Sequence, residues 1–320
     1  MIKYTLKKLF GIIPMLLIIT FIIYWLLDMT PGDPISYMMD PEALARLSAE
    51  QIAALRSQLG LDDPFIIRYF RWLWNLLQGD FGYSSSSGVA VTKIMAERLP
   101  ATLELAVAAL CISTILGSIL GVLGAIKKGS VADNVLTVAG MIGVSIPQFF
   151  FGVCAILIFS LNLGWFPVGG RTDPSVVDFM GRIKYLVLPA SVLGISMTGG
   201  VMRYARSSML DTMNKDYIKT ARSKGIPEWR INIVHGFRVS LTPVIVLVGF
   251  RLPSLIAGSV VIETVFQWPG IGSAFNTAVR SQNYNLVMML ALLFVFMTLF
   301  ASTLVDILTA ALDPRVKLNG

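Results

Sequence analysis

The 320-residue sequence predicts an all-α polytopic membrane protein of about six transmembrane helices, with both termini on the cytoplasmic side. Three observations predict it: an apolar composition, six long apolar stretches, and a lopsided placement of Lys and Arg. Hydrophobic residues make up 55% of the chain and charged residues 14%. A soluble domain carries about a quarter charged residues. A spanning segment, by contrast, is apolar around its whole circumference and satisfies its backbone within the helix.

A helix needs roughly 20 apolar residues to cross the hydrocarbon. The first stretch runs from about Leu9 to Leu27. Asp28-Met-Thr-Pro-Gly-Asp33 follows it in place of a small-x-small cleavage site, which marks a retained helix and not a signal peptide. The second stretch covers Leu103 to Ile126 and the third Val135 to Leu161. The fourth, Leu186 to Met202, is interrupted by Pro189 and Gly199-Gly200. The fifth covers Leu241 to Ile262, where Pro243 and Pro253 predict a kink, and the sixth Leu286 to Ala311.

Direction follows from the bases. With the N-terminus inside, the inner segments hold fifteen Lys and Arg, eight of them between Arg203 and Arg238. The short outer loops hold four: Arg171, Arg182, Lys184 and Arg280. Positive charge gathers on the cytoplasmic side, so the net charge of +7 reads as topology, not as affinity for nucleic acid. Cys111 and Cys154 lie in apolar stretches and read as core residues. No C-x-x-C occurs, and the lone His235 cannot anchor a His-rich zinc site.

The chain reads as one transmembrane domain, residues 1–320, with an extracytoplasmic loop over 30–100 and a cytoplasmic loop over 203–238. In the outer loop, Ser48-Ala-Glu-Gln51 is a capping box before Ile52, Leu55 and Leu59 at helical spacing. Pro64 to Leu77 is amphipathic, with Phe65, Tyr69, Leu73 and Trp74 on one side and Arg68 and Arg71 interleaved. Such helices either lie on the outer membrane surface or the bundle, or form a platform for an external partner. Ser84-Ser-Ser-Ser87-Gly88 reads as a flexible connection.

The inner loop is the informative one. Asn214 or Asp216 can cap a short helix through Asp216-Tyr-Ile-Lys-Thr-Ala-Arg-Ser-Lys-Gly225, and Gly225 followed by Pro227 can end it. A capped, stopped helix in so compact a basic loop suggests a segment held for contact. Within the membrane, Gly117-x-x-x-Gly121 permits a close helix crossing, read as ordinary packing. Arg251 stands at membrane depth, where a charge faces a cavity or a partner. It either lines a pore, snorkels, pairs across a subunit interface, or pairs with Glu263 twelve residues on. Glu104 and Asp306 fall near helix ends and read as interfacial.

The order of motifs resembles the membrane-spanning subunits of binding-protein-dependent ATP-binding cassette importers. Within them the chain looks like the first permease subunit of the dipeptide, oligopeptide and nickel group. The resemblance rests on Pro31-Gly-Asp-Pro34, Leu59-Gly-Leu-Asp-Asp-Pro64, Gln78-Gly-Asp-Phe-Gly82 and Arg98-Leu-Pro-Ala-Thr-Leu-Glu-Leu105. It continues through Asp216 to Gly225, Glu263-Thr-Val-Phe-Gln-Trp-Pro-Gly-Ile-Gly272 and Asp313-Pro-Arg-Val316. The family's coupling motif starts Glu-Ala-Ala, with a Gly four residues after the second Ala. Here Lys219-Thr220-Ala221 and Gly225 stand in that place, so the Ala and Gly are kept and the Glu is absent.

The resemblance implies a type I importer permease fold and a coupling helix that enters a cleft on a separate ATPase subunit. Asp216, Tyr217, Ile218, Ala221, Arg222 and Gly225 are the implied coupling residues. Ala221 and Gly225 would allow close packing, and Tyr217 and Ile218 would supply buried area. Arg251 and Glu263 are candidate pore or gate residues. Implied partners are a second homologous permease, two ATP-binding ATPase subunits, an extracytoplasmic solute-binding protein and membrane lipid, in a bacterial or archaeal cell membrane. ATP and Mg would sit on the ATPase subunits, since this chain has no G-x-x-x-x-G-K-[ST] and no catalytic or metal site of its own is expected. The first-choice cargo is dipeptide or oligopeptide; nickel, glutathione or another small solute is the alternative. A secondary transporter would want carboxylates or histidines at mid-depth, where Arg251 alone stands. A channel would leave the inner loop motif unexplained.

Overall fold

The structure, a computed structural model, describes residues 2–29, 35, 41–58, 60–172 and 179–312. Pro31-Gly-Asp-Pro34, Leu59 and Asp313-Pro-Arg-Val316 lie outside these residues. The described residues are mostly helical, and their β contribution is an isolated bridge between Tyr83 and Ala90.

Helix α1, Ile2–Asp28, is the first span. After a short helical turn at Pro41–Leu44 come α2 (Ala49–Gln58) and α3 (Phe65–Leu77). The predicted capping box forms: Gln51 N donates to Ser48 Oγ at 3.2 Å, and Ser48 N donates to Gln51 Oε1 at 2.8 Å. Helix α3 packs along α1. Its Tyr69 is buried, its hydroxyl 3.0 Å from Thr20 Oγ1 and donating to Leu17 O, while Arg68 pairs with Asp28 at 2.7 Å. Trp74 does not share the inner face with Tyr69 as expected; it points outward with Ile66, Phe70 and Leu77. The step of five from Tyr69 to Trp74 turns a side chain by about 140° in a helix of 3.6 residues per turn.

Helix α4, Val91–Ile126, begins twelve residues before the expected Leu103 and runs through Pro100. Its 36 residues span about 54 Å, well beyond the hydrocarbon thickness. The predicted third span is not one rod. Ser130 caps α5 (Val131–Ser145) by accepting from Asp133 N, and the chain turns by 99° at Ile146-Pro147. It continues as α6 (Gln148–Ala155) and a π-helical segment, Ile156–Asn162. Pro147 cannot continue the hydrogen-bond ladder, and the residue before a proline is driven to extended geometry; Ile146 has ψ 128°.

The fourth stretch corrects the sequence in the other direction. Pro189 and Gly199-Gly200 do not break it, and α7 runs unbroken over Phe179–Met213. The glycines serve packing instead. A Cβ on Gly117 would meet Val201 Cβ at 2.6 Å, and one on Gly121 would meet the Met202 carbonyl. A Cβ on Gly199 would meet the Gly140 carbonyl of α5. In lipid, helices associate by close van der Waals contact, so small residues hold α4 and α5 against α7.

After α7 come α8 (Asp216–Ser223), a turn at Glu228–Arg230, a π-helical segment Ile231–Phe237, and α9 (Arg238–Val265). This run bends by 41° at Pro243, as predicted for the fifth span. Helices α10 (Ile271–Arg280) and α11 (Tyr284–Leu312) close the fold. Among the described residues four helices are long and apolar enough to span a bilayer, or up to six with each bent pair counted as one span.

Two cores hold the bundle. One gathers Leu105, Leu193, Leu255, Phe266 and Trp268 between α4, α7 and α9. The other gathers Val91, Ile271, Met289 and Leu290 where α4, α10 and α11 meet, with Tyr24 and Trp72 packed against it. Lys8 Nζ lies 2.7 Å from Asp306 Oδ2, which brings the start of α1 and the end of α11 to the same end of the bundle.

Candidate functional site

Helix α8 projects from the end of α7, and its two faces differ. Ile218 and Ala221 are buried against Ile231, with Met213 and Ile226 around them. Asp216, Lys219, Thr220 and Lys224 are exposed, and Tyr217 is 45% exposed. Ile218 therefore does not offer buried area to a partner, as the sequence suggested; it anchors the helix to its own chain.

The helix starts after Lys215, which carries no side-chain cap, so neither Asn214 nor Asp216 is the N-cap. Its end is as predicted. Gly225 has φ +73°, and Ile226 N reaches back to Ala221 O at 3.3 Å. That is a Schellman stop, with Ile226 folding onto the same apolar cluster. No atom lies within 4 Å of where a Gly225 Cβ would be, so the glycine serves the backbone turn and not packing within the chain. Arg222 Nε donates to Glu228 Oε1 at 2.7 Å, which ties the stop to the next turn. That contact draws Arg222 into the chain's own ion pair. Trp229, which the sequence analysis passed over, is 65% exposed beside this helix. An exposed Trp in a loop next to an exposed Tyr is the signal that could have found it.

Glu263 and Arg251 are not partners. On one helix, twelve residues separate them by about 18 Å. Glu263 is fully buried, and its carboxylate caps α10 instead. Oε1 accepts from Thr102 Oγ1 at 2.8 Å and Ser259 Oγ at 3.0 Å, and Oε2 accepts from Ser273 N at 2.9 Å. Thr102 Oγ1 in turn accepts from Ile271 N at 2.8 Å. A Cβ on Gly270 would strike the carboxyl group, so the glycine makes room for the cap. Trp268 completes the junction, fully buried, with Nε1 donating to Ala101 O at 2.8 Å. The Glu263 to Gly272 motif is thus a knot between α4, α9 and α10, and Glu263 is not at a pore surface in this chain.

Arg251 lines a groove between α7 and α9. Gly200, Arg203, Tyr204, Ser207, Ser208 and Asp211 form one wall, and Pro243, Leu247 and Arg251 the other. The guanidinium lies over Gly200, with Nη1 3.4 Å from Met197 O.

These features meet known proteins at full length. Residues 113–318 match the family described as the binding-protein-dependent transport system inner membrane component. Residues 1–106 match the N-terminal region of such membrane components. The chain belongs to this family of transport permeases. It is 39% identical over 319 residues to the oligopeptide transport system permease protein AppB of Bacillus subtilis, covering 99% of this chain and all of the relative. It is 33% identical to the dipeptide transport system permease protein DppB of Escherichia coli, covering 99% of each.

Solved structures give the fold alone. An amino acid ABC transporter chain superposes with TM-score 0.52 at 16% identity, over 69% of this permease and 94% of that chain. An inward-facing MetNI methionine ABC transporter chain gives TM-score 0.50 at 16% identity, over 68% and 97%. The type I importer permease fold expected from the motifs is therefore the fold of this permease. Helix α8 and the groove fall within the matched residues 113–318, α1 to α3 belong to the N-terminal match, and the Glu263 knot joins the two through Ala101 and Thr102.

Proposed function

We propose that this permease is the pore-forming subunit of an ATP-driven, binding-protein-dependent importer of dipeptides or oligopeptides in a bacterial or archaeal cell membrane. The observation that carries the reading is full-length similarity to the oligopeptide permease AppB, with α8 fixed at one end of the bundle. The chain acts as one transmembrane unit and works with a second permease, two ATPase subunits that hold ATP and Mg, and an external binding protein. It has no ATPase role of its own. Residues 203–238 face the cytoplasm with both termini, and residues 30–100 face outward to the binding protein.

The division of labour on α8 follows from burial. Ile218, Ala221 and Gly225 set its position, so a push on the helix moves α7 and α9 with it. Asp216, Tyr217, Arg222 and Trp229 present the surface that an ATPase cleft would grip. Closure of the ATPase pair on ATP then shifts the helix, and the bundle changes between inward-open and outward-open states. Co-purification from membranes in mild detergent tests the reading. Recovery with an ATPase and a second six-helix subunit supports it; a chain that carries solute alone after reconstitution overturns it.

A further inference from the structure

The geometry points to a carboxylate station in the groove between α7 and α9, where Arg203 and Arg251 receive the C-terminal carboxylate of a peptide in transit. This rests on the importer reading above. Gly200, Arg203, Tyr204, Ser207, Ser208 and Asp211 recur at intervals of three and four residues, so they form a single stripe along α7. Pro243, Leu247 and Arg251 recur at four and form a facing stripe on α9. A polar stripe of this length on a membrane helix faces a cavity or a partner and not lipid. The half-open groove has a volume of about 610 Å3, inside the roughly 300–1,000 Å3 range of small-ligand pockets.

Among the described residues two guanidinium groups and one carboxylate, Asp211, line it. Asp211 is eight residues from Arg203, about 12 Å along the axis, so the end near Gly200 is cationic. A Cβ on Gly200 would strike the Arg251 guanidinium. The glycine therefore lets the guanidinium approach the α7 backbone, where Arg203 follows one turn on. Planar guanidinium donors suit a carboxylate. The apolar wall of Pro243 and Leu247 tolerates any side chain, while the shared feature of peptides, the terminal carboxylate, meets the arginines.

The test uses the complete importer in proteoliposomes. It compares uptake of a labelled peptide with that of its C-terminal amide, each at a concentration shown by calorimetry to saturate the binding protein. The wild type should carry the free carboxylate about tenfold faster than the amide. Arg203→Gln and Arg251→Gln should each bring that ratio close to one by slowing the carboxylate form, with Arg251→Lys intermediate. Arg203 is exposed, so its variant tests the station without burdening the fold. Equal loss for both peptides, as for an arginine that holds a partner's acid, overturns the station, and so does an unchanged ratio. A wild type that carries neither peptide overturns the importer reading and the station together.

Discussion

Arg206 holds Asp133 through two parallel hydrogen bonds, Nε to Oδ1 and Nη2 to Oδ2, each 2.7 Å long. Asp133 is almost fully buried, and its Oδ2 also accepts from Gly129 N at 3.0 Å. A single carboxylate thereby joins α7, the first turn of α5, and the turn that leaves α4. Gly124 keeps the space open, since a Cβ there would stand 3.2 Å from Oδ1. Removing one member strands the other, which costs more than the pair contributes. Asp133→Asn and Arg206→Gln should each lower the melting temperature of the purified permease in detergent. The exchange Asp133→Arg with Arg206→Asp should recover part of the loss. Strict additivity of the single changes would show that the pair is not coupled.

The Glu263 cap makes a prediction about the type of group required. Its oxygens accept from two hydroxyls and a backbone N–H, so every neighbour is a donor. Glu263→Gln places an amide NH2 among donors and leaves at least one buried group unsatisfied, at a cost of about 1–3 kcal/mol. Inserted yield and thermal stability should both fall. A variant as stable as the wild type would mean the carboxylate is not the cap of α10.

Small residues at the α4–α7 crossing should be intolerant of size. Gly121→Val forces the Met202 carbonyl and Ala205 away from α4. Overpacking of this kind costs about 1–3 kcal/mol, and here the contact on the far side is backbone, which cannot yield by a rotamer change. Limited proteolysis should show faster cleavage of the loop between α7 and α9. Gly143, whose Cβ would meet the Ile195 carbonyl at 3.8 Å, should accept Ala without such an effect.

Gly225 should be replaceable by the one residue type that shares its backbone. At φ +73°, Ala is strained by about 1–2 kcal/mol, whereas Asn adopts this region more readily. Transport coupled to ATP should fall with Gly225→Ala and recover with Gly225→Asn, because the space around the position is open within the chain. Equal failure of both would mean the position needs room for a partner, not a turn.

Much of this fold was legible because its signals are local. Apolar length marked the spans, and Ser48 with Gln51, or Gly225 with Pro227, marked helix ends by chemistry confined to a few residues. What was illegible depends on partners far along the chain. Pro189 and Gly199-Gly200 look like breakers until Gly199 is seen against the Gly140 carbonyl. Glu263 looked like a charge in search of Arg251 because Thr102 lies 161 residues away. The 99° turn at Pro147 was hidden because an apolar run reads the same whether straight or folded. On α8 the helix and its Gly225 stop were legible but its faces were not, since an eight-residue amphipathic helix does not declare which side its own chain covers.

That last point yields a separation of roles. Ile218 and Ala221 are buried within the chain, while Tyr217 and Trp229 are exposed. Ile218→Ala should destabilise the loop by about 2–4 kcal/mol, and Ala221→Glu should undock α8 by forcing a charge into its cluster. Both changes should speed proteolysis of the loop and lower transport. Tyr217→Ala and Trp229→Ala remove exposed aromatic side chains, so proteolysis of the isolated permease should be unchanged. If an ATPase grips this surface, these two substitutions should instead weaken its retention on the purified permease by tenfold or more, as aromatic anchors of an interface do. Retention unaffected by Tyr217→Ala and Trp229→Ala, but lost with Ile218→Ala, would place the gripping surface elsewhere on the loop.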